Sequence, residues 1–308
     1  MDTQARLSVI IPTRDRGSVL AATLADLAGQ RDFDGGYEVV VVDNGSSDGT
    51  REVLARAPAT MGERLVTVEQ PRGGPAAARN AAIGAARGEI LLLLGDDTAP
   101  AAADLLAAHA ALHREHPEST YACLGRIEWT PRAPATEFMR WLDNGGPQFH
   151  YWEIAPGPVR IEDYFYSSHV SLKRSAFDAA GGFDVRFPYA ALEDADLGRR
   201  LAENLVSLDY HPELVVWHDH ATTIEQSLAR TVRVGRCAAL YNEICPERPH
   251  PRIQRPARLA ELTGAAASPA LAAISWSPAP PAVRRRIWSL AHRAAYARGY
   301  RLGPPEAR

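Results

Sequence analysis

Residues 90–97 have the sequence ILLLLGDD, in which five consecutive aliphatic residues run into a glycine and two adjacent aspartates. A short apolar run that ends at a glycine is typical of a buried strand. In an open α/β sheet, ligands bind outside the carboxyl ends of the strands, so Asp96 and Asp97 are placed to hold a metal ion or a ribose. Alternatively, the aspartates cap a helix that begins near Ala101, since Asp is a favoured N-cap residue.

Around this stretch, the first 128 residues alternate between short β-rich runs and helical runs. The predicted strands cover residues 7–11, 38–42, 65–69 and 89–94, and the predicted helices cover residues 18–28, 48–56 and 74–86. This alternation predicts an α/β fold with a mostly parallel, doubly wound sheet whose loops meet at one edge. Neither a P-loop nor a GxGxxG motif follows the first strand, so a nucleotide would be held without a glycine-rich phosphate cradle.

Composition indicates a folded, cytoplasmic protein. The 308 residues are 46% hydrophobic, and no apolar run of 18 residues or signal peptide is present. Residues 247–308 contain eleven arginines and three glutamates, so the overall charge of -3 leaves -11 on the first 246 residues. An acidic body argues against a nucleic-acid partner, which would need clustered cations. Three cysteines without CxxC spacing suit a reducing compartment and argue against a zinc site.

Polar residues follow the predicted strands. Thr13 comes after the first strand, Asp43 ends the second, and Arg72 and Arg79 flank the turn after the third. A carboxylate at Asp43 would accept an N–H from a pyrimidine or guanine edge, Asp96 would accept ribose hydroxyls, and arginines would supply planar donors to a base or phosphate. The alternatives are an Asx turn for Asp43 and a solvated helix face for Arg79.

Four motifs carry a family resemblance: SVIIPT at 8–13, VVDNGSSDGT at 41–50, ARN at 78–80 and GDD at 95–97. Together they resemble the family 2 glycosyltransferases, over about residues 7–240. The resemblance implies a GT-A (Rossmann-like) fold and a UDP-, GDP- or dTDP-linked sugar donor. It places Asp96 at the ribose and Asp97 on a divalent metal.

The same resemblance defines a nucleotide-binding set. Pro12, Thr13 and Asp43 would lie at the base, and Arg79 near the base or the diphosphate. Two departures occur: Arg14-Asp15 stands where the family often has Tyr-Asn, which alters the contacts at the base, and GDD replaces a spaced Asp-x-Asp, a common variant. The complete predicted set is Pro12, Thr13, Arg14, Asp43, Arg72, Arg79 and Asp96.

A second acidic group, Glu193-Asp194, precedes a predicted helix over residues 198–203. A carboxylate there would deprotonate an acceptor hydroxyl as general base. Alternatively, these are first-turn acids that the helix dipole favours. The resemblance assigns the base role to Asp194, with Glu193 and Asp196 shaping the site, and implies one in-line displacement with inversion.

The run VVWHDH at 215–220 is another apolar strand that ends in polar side chains. An imidazole that joins Asp97 and two phosphate oxygens makes a mixed oxygen and nitrogen site, suited to Mn²⁺ and acceptable to Mg²⁺. The resemblance favours His218 over His220, because His218 directly follows the apolar run. The alternative is a hydrogen-bonded histidine at a strand end, which we expect for His211.

Residues 129–166 hold nine of the 23 aromatic residues. Aromatic faces suit sugar or lipid acceptors, but a local core under a long loop explains them equally well. The segment HVSLKR at 169–174 resembles the family strand beside the donor sugar. We therefore predict a donor or acceptor pocket lined by Ser168, His169 and Trp152.

The C-terminal region contains a predicted amphipathic helix over residues 283–301. Val283, Ile287, Leu290 and Ala294 share one face, and most arginines lie elsewhere. Such a helix suits the inner face of an anionic membrane. Packing on its own domain or in a homodimer is the alternative.

We therefore predict a nucleotide-sugar-binding half over residues 1–128, an acceptor-binding and catalytic half over 129–245, and a basic helical extension over 246–308. The predicted function is metal-dependent, inverting transfer of a sugar to a carbohydrate, lipid-linked or small-molecule acceptor. A sugar-1-phosphate nucleotidyltransferase would need a glycine-rich loop after the first strand, and residues 12–17 contain one glycine. A non-catalytic sugar-nucleotide-binding protein would lack Asp194 or His218, and both are present.

Overall fold

The computed structural model describes residues 6–247, residues 250, 253 and 256, and residues 280–305. The chain folds into two compact units. The first unit comprises residues 1–133, 155–185 and 193–220, and the second comprises residues 134–154, 186–192 and 221–308. All strands of the described residues belong to the first unit, and the described helices of the second unit form a separate apolar core.

The first unit is a nine-stranded sheet flanked by helices. Its strands are β1 (Leu7–Thr13), β2 (Tyr37–Asp43), β3 (Leu65–Glu69), β4 (Ile90–Leu94), β5 (Thr98–Pro100), β6 (Tyr121–Trp129), β7 (Gly157–Val159), β8 (His169–Lys173) and β9 (Ser207–His218). Its helices are α1 (Gly17–Ala28), α2 (Thr50–Arg56), α3 (Pro58–Met61), α4 (Pro75–Ala85), α5 (Leu105–Glu115), α7 (Ile161–Tyr164), α8 (Arg174–Ala179) and α9 (Glu193–Glu203). The strand order is β3-β2-β1-β4-β8-β6-β9-β5, and β7 pairs with β9.

The first four strands of the chain form the predicted parallel part of the sheet. β1 pairs in parallel with both β2 and β4, and β2 pairs in parallel with β3. Every residue of β2 and β4 is buried, as the continuous aliphatic runs indicate. The α/β prediction is confirmed, but the whole sheet is mixed, because β8 is antiparallel to β4 and β6.

The alternative that Asp96 and Asp97 cap a helix is wrong. A short strand, β5, follows them directly, and α5 begins only at Leu105 with Asp104 in the N-cap position. The two carboxylates are therefore available at the carboxyl end of β4.

A chain of buried histidines crosses the core of the first unit. Because a carbonyl oxygen only accepts, His169 Nδ1 donates to Arg126 O (3.1 Å), and His169 Nε2 must accept from His109 Nε2 (3.1 Å). His109 Nδ1 then accepts from the Ser171 hydroxyl (2.9 Å), and that oxygen accepts from His113 Nε2 (2.9 Å). The direction of every hydrogen bond is fixed only while all three rings are neutral.

We expect this chain to make the protein acid-labile. Burial lowers the pKa of His169 to about 4 and that of His113 to about 3, and it lowers the pKa of His109 well below its usual value. Histidines in the unfolded chain have a pKa near 6.5. The stabilising effect of the three neutral rings is therefore fully present above that pH. As the pH drops toward 4, the free energy of unfolding falls by about 1.4 kcal/mol per pH unit for each ring. Urea unfolding between pH 7.5 and 5 measures this slope.

The variant His113→Gln provides the matched comparison, since its amide can still donate to Ser171 but does not titrate. We expect this variant to take up about one proton fewer on unfolding between pH 6.5 and 5. The slope of its unfolding free energy against pH should then be smaller by about 1.4 kcal/mol per pH unit. His116→Gln, at a partly exposed ring outside the hydrogen-bonded chain, is the matched control for the change of side chain. Equal unfolding free energies at pH 7.5 and 5 in the wild type would contradict the prediction.

Within the described residues of the second unit, three α-helices surround an aromatic core. They are α6 (Glu137–Asp143), α10 (Ile224–Ile244) and α11 (Pro281–Arg301). Trp288 of α11 packs against Phe138 and Trp141 of α6, with ring centroids 5.3 and 5.4 Å apart. For these aromatic residues of the 129–166 region, the interpretation as a local core is confirmed.

Helix α11 packs on α10 through small residues. The buried face includes Ala291, Ala295 and Gly299, whereas Val283 and Leu290, on the predicted apolar face, are 45% and 54% exposed. The amphipathic pattern therefore did not identify the packed face. No helix within the described ranges is long and apolar enough to span a membrane.

Candidate active site

The loops after β1 and β2 hold each other in place. Ser47 N donates to Asp15 Oδ1 (2.7 Å), and Asp15 N donates to Ser46 Oγ (2.9 Å). Asp15 adopts a positive φ of 51°, a conformation that Asp tolerates better than most residues. A Cβ at Gly17 would lie 2.9 Å from Thr50 N, so only glycine permits this approach. The sequence motifs at both strand ends are thus parts of one rigid edge.

Asp96 is held at this edge by the end of β1. Thr13 Oγ1 donates to Asp96 Oδ2 (2.8 Å), and Arg16 Nε lies 3.0 Å from Oδ1. Burial, and next the neighbouring charge of Asp97, raise the pKa of Asp96 to about 6. Asp96 and Thr13, which the sequence predicted separately, therefore belong to one site.

Asp97 lies beside two histidines from the end of β9. Its Oδ2 is 3.4 Å from His218 Nε2 and 4.0 Å from His220 Nδ1, and Arg16 Nη2 donates to it at 2.6 Å. Burial alone would raise the pKa of Asp97, but His218, Arg16 and His220 together lower it. The ring of His218 stacks on Trp129 at 4.8 Å, which fixes its orientation.

Asp97 and His218 fit a divalent cation only in part. They offer one carboxylate oxygen and one imidazole nitrogen, a donor set suited to Mn²⁺. Among the residues that the structure describes, no group of three or more His, Cys, Asp or Glu side chains could hold a metal ion. A cation at this position would therefore need further oxygen ligands, such as those of a bound diphosphate.

Arg79 joins helix α4 to the acidic group at the start of α9. Its Nη1 donates to Glu193 Oε1 (2.9 Å), and both side chains are buried. The guanidinium also lies 5.4 Å from the centroid of the Phe183 ring. Burial, followed by the charge of Asp194, raises the pKa of Glu193 to about 7, against the opposing effect of Arg79. The alternative of a solvated helix face for Arg79 is wrong.

Asp194 has one oxygen anchored and the other without a partner. Ser167 N donates to Asp194 Oδ2 (3.1 Å), whereas Asp194 Oδ1 is buried and accepts no hydrogen bond. The hydroxyl of Ser167 is likewise buried without a partner. Asp194 Oδ1 and Ser167 Oγ are thus two buried polar atoms without a protein partner, on residues in direct contact.

The other predicted nucleotide residues lie at or near the carboxyl ends of β1, β2 and β3. Asp43 Oδ1 accepts from Ser46 N (2.8 Å), and Oδ2 lies 3.2 Å from Arg51 Nε, so the Asx-type turn is present. Arg14 pairs with Asp15 at 3.4 Å. Pro12 lies within β1, and Arg72 is exposed in the loop after β3.

The predicted pocket residues are dispersed. Ser168 lies near the site, since its carbonyl accepts from Thr98 Oγ1 (3.4 Å) just after Asp97. His169 is fully buried in the histidine chain, and a Cβ at Gly125 would overlap its ring. Trp152 belongs to the second unit and is 39% exposed.

Asp196 and His211 have structural partners. Arg199 and Arg200 of the same helix bind Asp196, at 3.1 and 2.7 Å. His211 Nδ1 lies 2.8 Å from Glu213 Oε1 on β9, as expected for a hydrogen-bonded histidine on a strand. Neither side chain is therefore included in the catalytic proposal.

Arg16 and Ser167 are the two site residues that the sequence did not reveal. Three adjacent charged residues at positions 14–16 are the sequence signal for Arg16, but the predicted nucleotide-binding set includes only Arg14 of these three. Ser167 directly precedes the predicted Ser168, and only its contact with Asp194 distinguishes it. Both assignments require distances that a strand and helix pattern does not contain.

Residues 8–154 match the family model of Glycosyl transferase family 2. Validoxylamine A glucosyltransferase of Streptomyces hygroscopicus subsp. limoneus is 30% identical over 221 residues, which cover 63% of this chain and 47% of that protein. A PGL/p-HBAD biosynthesis glycosyltransferase of Mycobacterium bovis is 38% identical over 112 residues, or 36% of this chain and 43% of that one. The chain thus spans less than half the length of these two relatives.

Two solved structures share the fold. A mannosyltransferase from Pyrobaculum calidifontis, in complex with GDP-Man and Mn²⁺, superposes with a TM-score of 0.63 at 21% identity, covering 98% of this chain and 87% of that one. S. aureus TarS in complex with UDP-GlcNAc gives a TM-score of 0.57 at 16% identity and covers 98% and 93%. The sheet topology and the similarity to these two structures show a GT-A fold. Over residues 8–154, just under half of the chain, the sequence is similar to glycosyltransferase family 2.

Proposed function

We propose that this protein is a metal-dependent, inverting glycosyltransferase that moves a sugar from a nucleotide-sugar donor to an acceptor hydroxyl. The observation that carries the proposal is the 3.4 Å approach of Asp97 Oδ2 to His218 Nε2 beside the buried Asp96. A carboxylate and an imidazole from two different strands meet at the carboxyl edge of the sheet, where ligands of such folds bind.

A nucleotide sugar is the donor that this edge suits. Asp96 would accept the ribose hydroxyls, and the strand ends that contain Pro12, Thr13 and Asp43 would contact the base. Solved structures of similar fold are complexes with GDP-Man, UDP and UDP-GlcNAc. They support a nucleotide-sugar donor for this protein but do not select one base. When bound, a divalent cation would neutralise charge on the departing diphosphate, and Asp97 and His218 would hold it.

Asp194 is the proposed general base. Its unpartnered Oδ1 would take the proton of the acceptor hydroxyl, while Ser167 N holds Oδ2 in place. The acceptor oxygen then bonds to the anomeric carbon as the bond from that carbon to the diphosphate oxygen breaks. Because this is one displacement, the anomeric configuration inverts. The buried Arg79–Glu193 ion pair keeps the start of α9 against α4.

The acceptor is a carbohydrate, a lipid-linked compound or a small molecule, and the protein is expected to act in the cytoplasm. Contact of α11 with an anionic membrane or with a second copy of the chain is a separate hypothesis. It is supported by the exposure of Val283 and Leu290 on a helix that contains no acidic residue. Liposome co-sedimentation of the chain with and without residues 247–308 tests it.

Titration with UDP-, GDP- and dTDP-sugars, with and without Mn²⁺, tests the proposed site. We expect Mn²⁺ to tighten binding of one donor by at least 10-fold in the wild type, and this gain to disappear in Asp97→Ala, because one of two protein ligands is lost. Calorimetry gives both affinities. Asp178→Ala on α8 changes an exposed carboxylate in the same unit and should behave as the wild type. The site assignment fails if no nucleotide sugar binds, or if Asp97→Ala retains the full gain.

A further inference from the structure

One guanidinium bridges both carboxylates at the end of β4. Arg16 Nε lies 3.0 Å from Asp96 Oδ1, and Arg16 Nη2 lies 2.6 Å from Asp97 Oδ2. Its two terminal nitrogens are each 3.3 Å from His220 Nδ1. Since arginine is always charged in proteins, the aspartate pair already has a cation bound to it.

The backbone holds Arg16 in this position. It is the N-cap residue of α1, and its N–H donates to Thr50 Oγ1 (3.3 Å). The preceding Asp15 has its left-handed conformation, and Gly17 N donates to Asp48 Oδ2 (3.2 Å). The bridge is thus part of the interlocked edge, and the Arg16 side chain is only 27% exposed.

The oxygen that Arg16 holds is the one that faces the proposed metal-binding histidine. Asp97 Oδ2 accepts the hydrogen bond from Arg16 and lies nearest to His218 Nε2, at 3.4 Å. A guanidinium and a divalent cation repel each other strongly when both lie in a partly buried site. The two cations therefore compete for Asp97.

We propose that Arg16 is an exchangeable internal cation: it binds Asp97 in the metal-free protein and releases Asp97 to the divalent cation when a nucleoside diphosphate takes over the guanidinium. This inference rests on the proposed function of Asp97. A guanidinium matches the oxygens of a phosphate as well as those of a carboxylate, so the diphosphate offers an equivalent partner. Binding of the metal and binding of the nucleotide are therefore coupled. A bound diphosphate takes the guanidinium away from Asp97, and a bound metal ion takes Asp97 away from the guanidinium.

Mn²⁺ titration followed by the EPR signal of the free ion tests this exchange without an activity assay. Without nucleotide, we expect Arg16→Gln to bind Mn²⁺ at least 10-fold more tightly than the wild type. In the wild type, saturating UDP or GDP should raise the Mn²⁺ affinity at least 10-fold. In Arg16→Gln this increase should be at least threefold smaller, and the part that remains reflects the diphosphate oxygens as metal ligands. Arg132→Gln is the matched control, since Arg132 binds Asp26 at 2.8 Å away from the aspartate pair.

Three further measurements separate the outcomes. Thermal unfolding shows whether Arg16→Gln is folded. If Arg16→Gln does not fold, Arg16→Lys is used instead, because its single ammonium cannot bridge two carboxylates. If the folded variant binds Mn²⁺ no more tightly than the wild type does, the proposed exchange is wrong. Asp97→Asn is titrated in parallel with nucleotide: if it binds Mn²⁺ as the wild type does, the proposed metal role of Asp97 fails, and the exchange fails with it. If Asp97→Asn loses affinity while Arg16→Gln gains none, only the exchange is wrong.

Discussion

Replacing Asp194 by Asn is expected to lower kcat about 10³-fold, within the range that general-base catalysis contributes. The amide oxygen of Asn can still accept the hydrogen bond from Ser167 N, so the side chain should keep its place. What is lost is the basic oxygen at the position of Oδ1, which is buried and without a partner in the protein. Single-turnover kinetics with the donor identified by titration measures this loss.

Two controls separate catalysis from folding and binding. Donor affinity of Asp194→Asn should stay within about threefold of the wild type, because Asp194 contacts none of the nucleotide-binding side chains that we propose. Asp178→Asn, an exposed carboxylate on α8, should leave both kcat and donor affinity unchanged. Normal turnover of Asp194→Asn would remove Asp194 as base and leave the proposed donor site standing.

Substituting Ala for Gly299 is expected to destabilise the second unit by roughly 3 kcal/mol, as overpacking in a rigid contact does. A Cβ at Gly299 would overlap the carbonyl oxygen of Val232, and a Cβ at Gly235 would overlap that of Tyr296. Both obstacles are backbone atoms of the facing helix, so no side-chain rotation relieves them. The helices α10 and α11 would have to move apart and expose part of the core around Trp288.

Hydrogen exchange of amides in α10 and α11, together with denaturant unfolding, measures this effect. The control is Gly84→Ala in α4, where an added Cβ meets no atom within 4 Å. That substitution should stabilise the first unit by about 0.5–1 kcal/mol, because glycine weakens a helix interior. Unchanged protection of α11 in Gly299→Ala would show that the two helices do not need the glycine contact.

Strands β1, β2 and β4 could be predicted from the sequence because their residues are almost all buried. The aliphatic runs at residues 7–11 and 90–94 are too short for helices and are bounded by Gly or Pro, so only a buried strand explains them. The antiparallel insertion of β8 between β4 and β6 was not predictable in this way. Strand order depends on contacts between residues about 80 positions apart, such as Leu91 with Leu172.

The packed face of α11 is a second feature that could not be predicted from the sequence. Hydrophobic periodicity selects large apolar residues, so it pointed to Val283 and Leu290, which are exposed. The packed face consists of Ala and Gly, whose small side chains allow two helix backbones to touch. Small residues contribute little to an amphipathic pattern, and their role is visible only when the partner helix is present.

The sequence indicated the residue types of the candidate site and their places at strand ends: Thr13 at the end of β1, Asp96 and Asp97 after β4, and His218 at the end of β9. Which of these residues meet depends on the tertiary structure. It placed Arg16 on both aspartates, left Asp194 Oδ1 without a partner, and withdrew His169 into the core. The physical reason is that a strand pattern fixes where a side chain emerges, whereas hydrogen bonds and ion pairs depend on distances of a few ångströms between segments far apart in the chain.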